Sequence, residues 1–294
     1  MKLGLGTVQF GLKYGISNKT GVTTTDEAEK IIKIALDNKV EIIDTACQYG
    51  SSEEVLGKII PLDYNFKIIT KTPSYTFKRK RPITKDDAKN MQLVFFESLK
   101  KLNKQKIYSL MLHHCEDLLQ ENSDYLYEIL YNFKEKFLIK KIGVSVYSPE
   151  QVKKLIENYN IDLIQIPLNI FDQRFLENNF LQELKDKNIE IHARSAFLQG
   201  LLLMKEKEFN PYFNSIRIHF SEYINFLKEL NLSQTEAALG FVLGIENVDV
   251  VIVGINNSKQ FHELISINDI NSFSKFSRFS IKDINIINPS CWRI

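Results

Sequence analysis

The sequence predicts a (β/α)8 barrel built as a single domain. Three observations carry this. Eight short apolar, β-branched runs recur along 294 residues, longer segments of helical periodicity separate them, and no shift in composition divides the chain. Alternation of strand and helix implies a parallel sheet with crossover helices. The length suits one barrel, which typically takes roughly 250 residues. With 44% hydrophobic residues the chain can bury a large core.

The first run is LGLG at 3–6. TTTDEAEKIIKIALDNKV then opens on a threonine cap with acids in its first turn and puts Ile31, Ile32, Ile34 and Ala35 on one side of a helix. The second run, 41–45, leads to SSEEVLGKII, a helix that starts on serine caps. The third, 66–71, is followed by a candidate insertion at 73–84 and by ITKDDAKNMQLVFFESLKKLN, with Val94, Phe95 and Leu99 inward. The fourth, 107–113, precedes SDYLYEILYNFKEKFL; the fifth, 142–146, precedes SPEQVKKLIENY; the sixth, 163–167, precedes DQRFLENNFLQELKDKN at 172–188. After the seventh, 190–194, a second candidate insertion at 202–214 leads to FSEYINFLKEL and SQTEAALGFVLGI, and the eighth run is 248–253. One barrel domain is expected over 1–294, with 271–294 as an irregular C-terminal tail. The tail aromatics Phe273, Phe276, Phe279 and Trp292 either pack on the barrel or line the substrate cleft.

Charge nearly balances, with 38 basic and 36 acidic residues and a net of +2. No one-sided basic excess points to nucleic acid. The cluster KRKRP at 78–82 reads first as a solvated loop and second as an anion site. Cys47, Cys115 and Cys291 are an odd set with no CxxC spacing, which argues for free thiols in a reducing cytosol. MKLGLGTVQFG does not read as a signal peptide. No run approaches the ~20 apolar residues of a membrane span. A cytoplasmic location, no membrane partner and no metal site are therefore expected.

In such a barrel the chemistry sits at the C-terminal ends of the strands. The second strand ends at Asp44, with Tyr49 in the loop beyond it; the third ends at Lys71 and the fourth at His113. A bare lysine ending an apolar strand is costly without a partner, and Asp44 on the neighbouring strand is the natural one. An ammonium beside a phenol favours tyrosinate and lowers its pKa from about 10. Tyr49 could then give a proton to a carbonyl oxygen, with His113 orienting that oxygen. Each residue has a plainer alternative. Asp44 could cap the next helix, although Ser51 and Ser52 are better placed; Tyr49 could be a packing aromatic, Lys71 a solvated side chain, His113 a core histidine. Four such residues at one rim on consecutive strands favour a site.

The stretch DTACQYGSSEEVLG resembles the signature of the aldo-keto reductase superfamily, in a bacterial subgroup. Supporting matches are GLGT at 4–7, ITK at 69–71, LMLHH at 110–114, IGVSVYSPEQV at 142–152, IQIPLNIFDQR at 164–174, RSAFLQGLL at 194–202 and VIVGINNSKQ at 251–260. The resemblance implies a (β/α)8 barrel that reduces a small-molecule carbonyl substrate with NADPH, with NADH also possible. It implies a tetrad of Asp44, Tyr49, Lys71 and His113, with His114 as a second possibility for the histidine. For the cofactor it implies Gly6 and Thr7 of the first turn together with Asp44. Ser145 and Gln165 would fix the carboxamide, with Asn169 a weaker candidate. Ser195, Leu198 and Gly200 would lie along the pyrophosphate. Gly254, Asn256 and Ser258 would meet the adenosine phosphate through N–H groups at the start of a helix. Gln260, with Lys259 beside it, stands where many NADPH-specific members carry a basic residue. Val8 and Gln9 replace a frequent aromatic, so that wall of the pocket is expected to be more polar. Cys47 reads as a packing residue, with an oxidisable gate as the alternative. A redox-sensing regulatory subunit with little turnover and a Schiff-base enzyme using Lys71 are the other functional classes. A sugar or sugar-nucleotide carbonyl and a broad range of aldehydes are the substrate expectations.

Overall fold

Eight parallel strands pair in sequence order, and the last returns to the first to close a barrel. The computed structural model describes residues 2–76, 81–270 and 273–293. The strands are β1 (Leu3–Gly6), β2 (Ile42–Asp44), β3 (Lys67–Lys71), β4 (Ile107–Leu112), β5 (Ile139–Ser145), β6 (Leu163–Pro167), β7 (Glu190–Arg194) and β8 (Val250–Gly254). The helices are α1 (Thr25–Asp37), α2 (Ser52–Ile59), α3 (Lys85–Lys101), α4 (Asp124–Glu135), α5 (Pro149–Asn158), α6 (Phe180–Asp186), α7 (Arg217–Glu229), α8 (Gln234–Leu243), α9 (Ser258–Ile265) and α10 (Ile284–Ile287).

The expected and observed elements differ at instructive places. β5 begins at Ile139 rather than 142, because Lys140 and Lys141 lie within the strand. Lys141 pairs with Glu190 at the lower end of the barrel, where a charge is tolerated. β8 starts at Val250 rather than 248; Val248 closes a turn onto the Ile245 carbonyl. The segment expected as one helix over 172–188 is broken. A 3-10 stretch, Arg174–Asn179, ends with Glu177 extended and Asn178 and Asn179 left-handed, and α6 starts only after them. Asparagine enters that region more readily than most residues. On α3, Phe95 and Leu99 are buried as expected and Val94 is half-buried. The insertion expected at 202–214 winds into short 3-10 turns.

Alternate strand residues fill the barrel in layers. At the bottom, Glu190 accepts from Tyr108 Oη (2.5 Å) and pairs with His192 Nε2 (2.6 Å) and Lys141. Above it Ile42, Ile69, Met111, Leu163 and Ile252 form an apolar plug. The opening that remains is at the top. The large apolar core lies outside the strands, between them and the helices. Residues of the tail join that outer core: Phe276 meets Phe226 and Phe241, Phe279 meets Tyr223, and Trp292 meets Phe213 edge-on. The Phe273 side chain lies outside the described residues, as do Lys78, Arg79 and Lys80 of the basic cluster. Arg81 of that cluster grips Asp87 through both guanidinium nitrogens, at 2.6 and 2.8 Å.

Asp87 also closes a capping box with Thr84 at the start of α3. The Arg81 hydrogen bond holds its carboxyl down to about 2. A depressed carboxylate contributes stability above its unfolded value and loses it as pH falls through the folded one. Asp87→Asn is expected to cost about 1–2 kcal/mol at pH 7. The gap between wild type and variant should narrow from about pH 4 to pH 2. Urea unfolding at a series of pH values reads both effects; a gap independent of pH would remove this assignment.

Candidate active site

The upper rim gathers the polar strand ends. Lys71, 1% exposed, extends its ammonium from β3 to Asp44 Oδ1 on β2 at 2.5 Å and to the Thr45 carbonyl at 3.1 Å. The second oxygen of Asp44 accepts from Gln165 Nε2 at 2.8 Å, reaching across to β6. Tyr49 lies against this pair, with the ammonium 5.1 Å from its ring centre. His113, directly after β4, meets the Tyr49 ring edge-on at 5.7 Å. His113 lines the cleft beside Tyr49, whereas His114 stacks behind it at 5.1 Å. The four residues singled out from the sequence are therefore neighbours.

The Tyr49 loop is fixed by backbone contact. Gly50 has φ +57°, and a Cβ there would fall 2.3 Å from the Gly11 carbonyl oxygen; a Cβ on Gly11 would fall 1.8 Å from that of Tyr49. Glycine allows this approach and this φ. Ser52 Oγ is laced to Thr7 and Thr45 at 2.9 to 3.0 Å, joining β1, β2 and α2. The serines do not cap α2 as expected: Ser51 stands at the cap position without a side-chain bond, and Ser52 is taken up in this lacing.

Burial decides the protonation of the site. It pushes the Tyr49 phenol well up, and the Asp44 carboxylate adds to the effect. This reverses the expected lowering. The Lys71 charge is largely cancelled by Asp44 at 2.5 Å, so it does not overcome desolvation. Burial likewise lowers Lys71 and, helped by the Lys71 charge, brings His113 down to about 2. His113 is a neutral imidazole. The Cys47 thiol is pushed up to about 12 by burial, which disfavours the reactive thiolate.

A cleft runs from this rim past β5, β6 and β7 to α9. Of the residues expected to hold a cofactor, Gly6, Thr7, Asp44, Ser145, Gln165, Ser195, Gly200, Gly254, Asn256 and Gln260 line it. Leu198 and Ser258 do not. Leu198 is wholly buried and joins the outer core. Ser258 gives both its N–H and its hydroxyl to Glu27 Oε1, each at 2.6 Å, so a carboxylate occupies the start of α9 where phosphate was expected. The Asn256 N–H is likewise taken by Gln260 Oε1. Asn169 does not line the cleft either: its side chain closes a turn, accepting from Phe171 and Asp172 and donating to the Ser195 carbonyl. Ser195 and Gln199 are left-handed without being glycine, and Gly200 at φ +97° packs on Ser17. Such backbone clusters at binding sites.

The cleft fits a polar ligand. Two buried acceptors along it, Gln9 Oε1 and Asn256 Oδ1, have no partner among the described residues, and buried polar atoms are normally paired. Gln9 lies under Gly254, where a Cβ would fall 2.7 Å from its amide. The sequence reading missed Tyr14, Tyr147 and Arg194, which also line the cleft. Only Arg194 left a signal, as a cation ending an otherwise ordinary strand.

A closed parallel barrel with a polar constellation at its upper rim is the architecture of a barrel enzyme. The chain belongs to the Aldo/keto reductase family, which it matches over residues 2–288. Members of that family reduce carbonyl compounds with nicotinamide cofactors, and the chain is an oxidoreductase of this kind. It is 28% identical over 290 residues to aldo-keto reductase YhdN of Bacillus subtilis, covering 90% of this chain and 83% of that protein. It is 25% identical over 277 residues to the uncharacterized oxidoreductase YqkF of the same organism, covering 89% and 85%. In fold it resembles aldo-keto reductase AKR11C1 from Bacillus halodurans in its holo form, with a TM-score of 0.73 at 19% identity over 96% of this chain and 94% of that one. It also resembles the glycerol dehydrogenase AKR11B4 from Gluconobacter oxydans, with a TM-score of 0.71 at 21% identity over 98% and 93%. Among the described residues no helix is long and apolar enough to cross a membrane.

Removing the Asp44 carboxylate leaves a buried ammonium uncompensated. Asp44→Asn is expected to cost about 3–5 kcal/mol. Combined with Lys71→Met it should cost less than the two single changes summed, by more than about 1 kcal/mol. Denaturant midpoints of the four proteins measure this, and strict additivity would show that the pair is not coupled.

Proposed function

We propose that the chain reduces an aldehyde or ketone to an alcohol, with Tyr49 as the general acid. The observation that carries this reading is the contact of the Tyr49 phenol with the buried Asp44–Lys71 pair and with a neutral His113. A phenol whose pKa is pushed up keeps its proton across the neutral range, which suits a donor. His113 orients the carbonyl oxygen as a neutral hydrogen-bond donor. Asp44 fixes Lys71 through one oxygen and Gln165 through the other, and so holds both the phenol's neighbour and one wall of the cleft. As Tyr49 gives up its proton, the Lys71 ammonium stabilises the tyrosinate that forms.

Ser145 and Gln165, paired in register at the ends of β5 and β6, would hold the nicotinamide amide. Gly6, Thr7, Ser195, Gly200 and Asn256 would line the remainder of the nucleotide. When bound, the reduced nicotinamide supplies a hydride to the carbonyl carbon. The adenosine end of the cleft favours NADH more than the sequence suggested. Gln260 and Glu263 line that end, and Glu27 occupies the Ser258 donors. Lys30, 3.3 Å from Glu27, already balances that carboxylate. Lys259, exposed on the first turn of α9, is not among the residues that line this end, so the lining itself offers a 2′-phosphate no cation.

Three measurements test this. Tyr49→Phe is expected to lower kcat by about 10²–10⁴-fold, while the cofactor dissociation constant moves less than about threefold, about 0.6 kcal/mol. Wild-type reduction should hold steady from pH 6 to about pH 9, since the raised phenol does not titrate there. Turnover that survives in the Phe variant would remove Tyr49 from the chemistry. For the cofactor, fluorescence titration should show NADH bound at least as tightly as NADPH; a preference for NADPH of more than about tenfold (about 1.4 kcal/mol) would reverse that assignment.

A further inference from the structure

Arg194 is the last residue of β7, and its guanidinium lines the cleft beside Tyr49 and His113. The group lies 4.6 Å from the centre of the Tyr147 ring, donates to the Val146 carbonyl at 3.1 Å and to Ser195 Oγ at 3.3 Å. Among the described residues it forms no ion pair with a carboxylate. Asp44 is not available to it, because both its oxygens are engaged by Lys71 and Gln165.

The charge balance of the rim follows. Asp44 and Lys71 cancel, His113 is neutral and Tyr49 keeps its proton. Arg194 is left as a net positive charge, half-buried, in a cleft where Asp44 is committed to Lys71 and Gln165 and Glu263 lies at the opposite end with Gln260. Stacking on Tyr147 offsets part of the desolvation, but a guanidinium has five N–H donors and two are in use. Three donors remain, enough for the two hydrogen bonds by which a guanidinium binds a carboxylate or phosphate. Its charge acts on Tyr49, Lys71, His113 and His114 together, which puts it at the reacting end of the cleft. The opposite end, at Asn256 and Gln260, lies beyond β8.

We propose that Arg194 is a specificity residue that receives an anionic group, a carboxylate or a phosphate, on the carbonyl compound reduced at Tyr49. This rests on the carbonyl-reducing reading of the same site. It narrows the substrate from carbonyl compounds in general to acidic ones. The Tyr147 ring, the Val146 carbonyl and the Ser195 hydroxyl together hold the guanidinium in place, so its remaining donors are presented from a fixed position.

The test pairs charged and neutral carbonyls of similar shape. 4-Carboxybenzaldehyde is compared with its methyl ester, and glyceraldehyde 3-phosphate with glyceraldehyde; the two pairs separate carboxylate from phosphate. In the wild type kcat/KM is expected to favour the charged member of at least one pair by about 10- to 100-fold. In Arg194→Met that ratio should fall to about 1, through KM more than kcat, and Arg194→Lys should restore part of it. An independent readout is calorimetric titration of the cofactor-loaded protein with benzoate and with benzamide. Arg194→Met should weaken benzoate by more than about tenfold relative to benzamide. Arg194→Gln serves the same purpose if the Met variant does not fold. Equal kcat/KM for charged and neutral members of both pairs overturns the proposal. So does an Arg194 variant that weakens cofactor binding as much as benzoate, since the guanidinium would then serve the cofactor. If no aldehyde is reduced, the carbonyl-reducing reading fails, and the benzoate titration alone decides whether Arg194 binds an anion.

Discussion

An ammonium and a carboxylate 2.5 Å apart, both almost wholly out of water, set the terms for the rest of the rim. Burying either alone would cost several kcal/mol, and their attraction repays this only with further hydrogen bonds in place. The barrel supplies them. Lys71 also donates to the Thr45 carbonyl, and Asp44 accepts from Gln165. Since these residues come from β2, β3 and β6, the pair braces strands that are not all neighbours in the sheet. Tyr49 is placed by the same loop that carries Asp44 upward, so its position is tied to that brace.

This arrangement also decides which way the site is poised. A free ammonium near the phenol would favour tyrosinate. Neutralised by Asp44, Lys71 leaves desolvation dominant, and Tyr49 holds its proton. His113, deep enough to stay uncharged, can donate a hydrogen bond without competing as an acid. Both consequences favour giving a proton to a substrate oxygen over taking one.

Much of this was legible in the sequence, for a physical reason. A polar residue closing an apolar β-branched run is conspicuous, and Asp44, Lys71 and His113 all stand in that position. Tyr49 was legible through its place beyond Asp44 in the stretch DTACQYGSSEEVLG, whereas the close approach of Gly50 to Gly11 that fixes its loop was not. What could not be read depends on direction or distance. Leu198 lies in the loop that borders the cleft, yet it faces the outer core. Glu27 meets Ser258 across 231 residues of chain, and nothing local to either announces it. Lys141, near the start of β5, did not read as a strand residue because its partner, Glu190, is on another strand. Arg194 was hidden because EIHAR carries a charge at each end, and only the fold shows that one end is paired and the other is not.

The two ends of the barrel interior make that last contrast concrete. At the lower end both Glu190 oxygens are matched, by Tyr108 and Lys141 on one side and His192 on the other, beneath an apolar layer that closes the interior. At the upper end Arg194 keeps spare donors, and Gln9 and Asn256 keep buried acceptors without partners among the described residues. The desolvation cost is of the same kind at both ends. Below, the Glu190 charge is matched within the chain, although His192 Nδ1 beside it has no partner among the described residues. Above, the cost is offset in part only, and the remainder is free energy that a ligand with complementary groups would recover on binding. The two ends differ in charge rather than in the count of orphaned atoms: Glu190 is matched by Lys141 below, whereas Arg194 above has no carboxylate partner among the described residues.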